Sequence, residues 1–121
     1  MNRDEFLKLD EFTQAYITAA LWSSTDQHDT PLDSNYDESD ITDETIAKIV
    51  EDCKNFQAKA DLTDYPNENA GHDFWLTRNG HGAGFWENDF GTPESCEQLT
   101  KLSKEFGEVD LYVGDDGKIY S

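Results

Sequence analysis

Carboxylates dominate the groups in this sequence that could take part in chemistry. Asp115-Asp116 and the pair Glu87/Asp89 each bring two acids together. Glycosidic or aspartyl-type hydrolysis needs two carboxylates at a set separation in opposed environments. With 27 acidic residues in 121, neighbouring pairs arise from composition alone. No sequence signal supplies a cleft that would divide their environments. The histidines, His28, His72 and His81, lack the HExxH spacing of a zinc helix. His72 and His81 would approach across a hairpin beside Asp73, yet a surface or hydrogen-bonded role explains them more simply. Asp115-Asp116-Gly117 lacks the ligand pattern and closing glutamate of a calcium loop. Gly80, Gly82 and Gly84 alternate, but no lysine follows and the neighbours are acidic and aromatic, so this is not a phosphate cradle. Cys53 and Cys96 fit no redox or metal spacing. The reading assigns no catalytic residue, no metal and no cofactor.

The elements that position these residues follow from periodicity. A first helix is predicted from Asp4 or Asp10 to Trp22, with Phe12, Tyr16, Ala19 and Ala20 on its buried face. Residues 23–40 read as an acidic loop without lysine or arginine, long for a compact domain and therefore either mobile or functional. A second helix runs from Thr42 or Asp43 to about Ala60, with Ile46, Ile49, Val50, Cys53 and Phe56 as its stripe. Lys48 is placed for i,i+4 pairs with Glu44 and Asp52. After a turn over 61–70, Phe74–Thr77 and Ala83–Trp86 suit two strands joined at Asn79-Gly80. Thr92-Pro93 opens a third helix that Gly107 stops. Residues 109–113 and 118–120 suit a last hairpin, turning at Gly114–Gly117. The expected fold is therefore α+β: three helices packed on a small, mainly antiparallel four-stranded sheet, in the order α-α-β-β-α-β-β, as a single domain over 1–121.

Charge bounds the function. Nine lysines and arginines face the 27 acids, a net charge of -18. Small soluble domains usually carry a magnitude of about 2–8. Direct nucleic-acid binding needs a basic footprint, and anionic membranes repel such a chain. No apolar run is long enough to span a bilayer, and the N-terminus has no signal-like apolar segment. Apolar residues at 36% and aromatics at 12% separate the chain from disordered acidic tails. Keeping a folded surface this negative costs stability. A partner with a basic, DNA-binding surface would compensate, because carboxylates can stand where phosphates would. Adaptation to salt, or a small acidic accessory protein with no mimicry, are the blander readings.

Two surfaces follow. The acidic one comprises Asp26, Asp29, Asp33, Asp37, Glu38, Asp40, Glu44, Glu51 and Asp52. The alternative is an aromatic hairpin that presents Trp75, Arg78, His81 and Trp86 as a protein-interaction module. The partner expected is a basic, DNA-binding bacterial protein, with no direct nucleic acid and no membrane. A homodimer would lengthen the acidic array.

The stretch DFWLTRNGHGAGFW with Glu87, Leu99-Thr100, and GEVDLYVGDDGKIY resemble small proteins of unassigned function encoded by bacteriophages and mobile elements. By size and acidity the chain also resembles phage-encoded DNA-mimic inhibitors. The resemblance implies a cytoplasmic product made inside a bacterium.

Overall fold

The computed structural model describes residues 1–81, 83–87 and 90–121. Gly82 and Asp89, named above in the glycine alternation and in an acidic pair, lie outside that set. Five helices, α1 (Arg3–Leu7), α2 (Glu11–Ser23), α3 (Asp43–Lys59), α4 (Asn67–Arg78) and α5 (Pro93–Glu105), carry the fold. One two-stranded antiparallel sheet follows, β1 (Tyr112–Val113) and β2 (Ile119–Tyr120). The expected four-stranded sheet with three helices is not formed. The chain is mostly helical.

The correction centres on α4, where a strand and hairpin were expected. Phe74, Trp75, Leu76 and Thr77 are all buried, along with Asp73 and Arg78. From Asp73 to Arg78 the helix is enclosed on every side and has no solvent face, so this stretch shows no amphipathic stripe. A short apolar run of this kind reads equally well as a strand. Asn79-Gly80 ends the helix instead of turning a hairpin. The Gly80 N–H donates to the Thr77 carbonyl at 3.2 Å, and the His81 N–H donates to the Leu76 carbonyl at 3.0 Å. Those two bonds form a Schellman cap, with Gly80 at φ 68° in the left-handed region it requires. The second expected strand folds back onto α4, where the Phe85 N–H donates to Thr77 Oγ1 at 3.0 Å.

Packing explains why α4 can sit inside. A Cβ at Gly71 would lie 1.9 Å from the Phe12 carbonyl oxygen, so glycine permits α2 and α4 to approach backbone to backbone. The aromatic rings then stack through the centre. Phe56 meets Phe74 at 4.1 Å, Phe12 at 5.7 Å and Phe85 at 5.8 Å between centroids. Tyr16 packs against Phe74 and, edge-on, against Trp75. Among the described residues the buried side chains form one hydrophobic cluster.

The remaining elements follow their local signals more closely. Of the two starts predicted for the first helix, Asp10 is the one that caps α2, its carboxylate accepting the Thr13 N–H at 2.7 Å, and the residues from Asp4 belong to the separate short α1. Thr42 caps α3, and Thr92 with Ser95 forms a capping box on α5. The acidic segment over 23–40 holds the bridge Thr25–Pro31, two 3-10 turns and a fully buried Leu32. The final hairpin is shorter than expected and pairs Tyr112 with Tyr120 and Val113 with Ile119. A parallel bridge joins Ile119 to Ile41, and the Thr42 N–H donates to the Ile119 carbonyl at 3.0 Å.

Gly71→Ala tests the helix crossing. Overpacking a close contact costs typically about 1–3 kcal/mol, and this one should lie at the top of that range because backbone must move. Urea unfolding measures it. A loss under about 0.5 kcal/mol, the scale of an unconstrained surface site, would show that α2 and α4 do not meet there.

Candidate functional site

The four residues assigned to an aromatic hairpin are separated by the helix. Trp75 and Arg78 are buried at 2% and 3% exposure, so neither belongs to a surface. The Trp75 indole N–H donates to Ser23 Oγ at 2.6 Å. His81 is exposed beyond the end of α4, and Trp86 stands 52% exposed in the 3-10 turn over 85–87.

Arg78 is held on all sides. Its Nη1 donates to Asp52 Oδ2 at 2.9 Å and to the Tyr16 hydroxyl at 3.1 Å. Nε donates to the Gly107 carbonyl at 2.8 Å, and Nη2 to the Phe106 carbonyl at 2.9 Å. The guanidinium lies over the Phe74 and Phe106 rings. It thereby joins α3, α4, α2 and the C-terminal end of α5, where cations are favoured. Burial pushes the Tyr16 hydroxyl above its ordinary value, with the Arg78 charge acting against it. Burial likewise raises the Cys53 thiol. Both cysteines are buried, and the Cys96 thiol donates to the Phe90 carbonyl at 2.9 Å.

The nine acids of the predicted surface divide by role. Asp52 is the ion-pair partner of Arg78 rather than of Lys48. Glu38 is buried and bound by Arg3 at 2.7 Å. Asp26 accepts backbone N–H bonds from His28 and Thr30, and these hold its carboxyl below the usual carboxylate range. Asp37 and Asp40 form a reciprocal cap on one 3-10 turn. Hydrogen bonds from Ser39 lower the Asp37 carboxyl. Asp29, Asp33, Glu44 and Glu51 are exposed. Glu44 and Glu51 share one face of α3, two turns and roughly 10 Å apart.

The bridge between Ile41 and Ile119 brings a second acidic run next to the start of α3. Asp115 and Asp116 occupy the turn of the β1–β2 hairpin, beside the start of α3. Tyr120 and Tyr112 stack on the outer face with centroids 5.8 Å apart and planes 19° apart. The Tyr120 hydroxyl donates to Asp116 Oδ2 at 2.5 Å. That bond, then its partial burial and the charges of Asp116, Tyr112 and Glu44, push the Tyr120 hydroxyl above its ordinary value. The same bond, with the Lys118 N–H, lowers the Asp116 carboxyl. The pole thus pairs exposed carboxylates with a fixed aromatic platform.

Sequence reasoning set Asp73 beside a hairpin with His72 and His81, and missed its burial on α4 and its tyrosine partner. This buried carboxylate accepts the Tyr65 hydroxyl and faces His72 Nδ1 at 3.1 Å. His72 lies against the exposed Trp22 ring. The usable signal was one acid directly before the apolar run Phe74–Leu76, at helical spacing from Ala70 and Thr77. The Arg3–Glu38 pair, 35 residues apart, has no sequence signal.

Among the described residues there is no metal-ligating group of three or more side chains, and no helix long and apolar enough to cross a membrane. Comparison with known proteins finds no matching family model, curated protein or solved structure.

Arg78→Met should destabilise the chain by about 3–5 kcal/mol, since removing one partner of a buried ion pair strands the other and its carbonyls. Arg78→Lys should cost less but still lose the fork geometry. Urea midpoints decide; a loss under about 1 kcal/mol would remove Arg78 from the centre of the fold. The Tyr120–Asp116 bond gives a pH test. It contributes fully between the carboxylate and phenol ranges. It is lost as pH falls through the lowered Asp116 value or rises through the raised Tyr120 value. The Tyr120 ring resonances should titrate above pH 10.0, and Asp116→Asn should lower that midpoint. An unchanged midpoint in the variant would contradict the bond.

Proposed function

We propose that this chain is a non-catalytic acidic binding protein that occupies the basic, DNA-binding surface of another protein. The observation that carries the reading is the joining of two acid-rich segments at one pole through Ile41 and Ile119. The two arginines hold Glu38 and Asp52, while Asp29, Asp33, Glu44 and Glu51 stand exposed. Glu38 and Asp73 are the buried acids among the described residues, so nearly all of the -18 charge faces solvent. A helix and a capped loop then hold carboxylates against a core, which limits the entropy lost on docking. Duplex DNA carries one charge per about 1.7 Å of axis. A protein surface built for that density attracts this pole over long range, at a rate that falls as salt screens it. The partner fits a bacterial DNA-binding protein, and the setting a bacterial cytoplasm, as the phage-like motifs also imply.

Competition tests this. A basic protein captured from bacterial lysate is titrated with labelled duplex DNA in the presence of the chain. The chain should displace the DNA. The combined variant Asp29→Asn, Asp33→Asn, Glu44→Gln and Glu51→Gln removes carboxylates without known internal partners, so folding should persist. It should compete at least about tenfold more weakly, the effect of about 1.4 kcal/mol. A partner bound equally well by the variant, or unaffected by DNA, would overturn the proposal.

A further inference from the structure

We infer that the tyrosine face of the C-terminal hairpin is a seat for an arginine side chain of the basic partner. The inference rests on the acidic-docking reading and adds the chemistry of one contact. Tyr112 and Tyr120 face each other across the antiparallel register, with Ile119 on the opposite, buried side. Tyr112 is 54% exposed, among the largest apolar exposures among the described residues. Tyr120 beneath it is fixed from two directions. Its hydroxyl is bonded to Asp116, and its ring lies where a Cβ at Gly114 would come within 2.6 Å. The Tyr112 ring then stacks on a platform that is already ordered.

An exposed ring can receive an apolar side chain, a nucleobase or a cation. Bases arrive attached to phosphate, which Asp115, Asp116 and Glu44 repel, and a purely apolar partner gains nothing from those carboxylates. A cation gains from both the ring quadrupole and the negative rim. Arginine suits the geometry better than lysine. Its plane stacks on an aromatic face while its fork reaches a carboxylate, whereas an ammonium is a strongly hydrated point charge. The acids therefore draw basic surfaces generally, and the tyrosine pair selects the guanidinium among them.

The test uses arginine and lysine homopeptides of equal length, titrated into the full chain at low and at physiological ionic strength. The arginine peptide should bind about two- to fivefold more tightly, the range of an exposed cation–π contact. Tyr112→Ala should abolish that preference while leaving lysine-peptide affinity unchanged, and Tyr112→Phe should keep it. If the alanine variant unfolds by circular dichroism, Tyr112→Leu replaces it with an apolar, non-aromatic side chain. Equal affinity for the two peptides, or a preference that survives removal of the ring, overturns the arginine seat. In that event the acidic-docking reading stands if the four-carboxylate variant still weakens both peptides. Failure of both peptides to bind overturns both readings.

Discussion

The guanidinium of Arg78 is the constraint around which the rest of the molecule is arranged. It is nearly removed from water, and its five donors leave little freedom in what surrounds them. Asp52 on α3, Tyr16 on α2 and the carbonyls of Phe106 and Gly107 after α5 each answer one direction of the fork. A buried cation is costly unless every donor is met. Its position therefore fixes the relative placement of four helices at once. The rings of Phe74 and Phe106, edge to face with each other, line the same site and keep water away. The Gly71 crossing works with this arrangement, because only a close approach of α2 and α4 brings Tyr16 within reach of Arg78.

A protein with so few cations places them unevenly. Arg78 and Arg3, its two arginines, are both spent on carboxylates of this chain, the half-buried Asp52 and the buried Glu38. Lysines stay on the surface, where Lys101 makes an i,i+4 pair with Glu97 that adds little. Neutralisation is thus reserved for acids that the core or the N-terminal turn needs. The exposed acids of the 23–44 segment and of the C-terminal turn keep their charge. Self-repulsion among these acids costs stability, and the capping bonds of Asp26, Asp37 and Asp40 offset part of it by using carboxylates as acceptors. The same side chains thereby order the loop and supply its field.

Helix ends and surface stripes were legible in the sequence, whereas burial on all sides was not. Thr42, Thr92-Pro93 and Gly107 mark their boundaries because capping is a local property of a few neighbouring residues. The stripe of Ile49, Cys53 and Phe56 emerges because α3 keeps one face in water. The stretch Asp73–Arg78 of α4 does not, so there the contrast that periodicity detects is missing. Phe74-Trp75-Leu76-Thr77 then reads as a strand, and Asn79-Gly80, whose left-handed preference serves a helix stop as well as a hairpin, completes the error. The consequences reach the site: Trp75 and Arg78 move from a presumed surface to the core. The acidic character of residues 26–52 was visible from composition, but the roles of Glu38 and Asp52 depend on partners 35 and 26 residues away. Tyr112 and Tyr120 were placed in strands, yet their stacking over Gly114 belongs to the register, which no local signal sets.

The central claim is that one pole, built from the 29–44 segment and the β1–β2 hairpin, is where this chain meets a basic partner. Amide chemical-shift mapping on the labelled chain, during titration with a captured DNA-binding protein, tests that location directly. The claim predicts perturbations concentrated at Asp29–Glu44 and Tyr112–Tyr120, reversed on adding duplex DNA. Perturbations confined to the exposed Trp22 and Trp86 surfaces, indifferent to DNA, would contradict it.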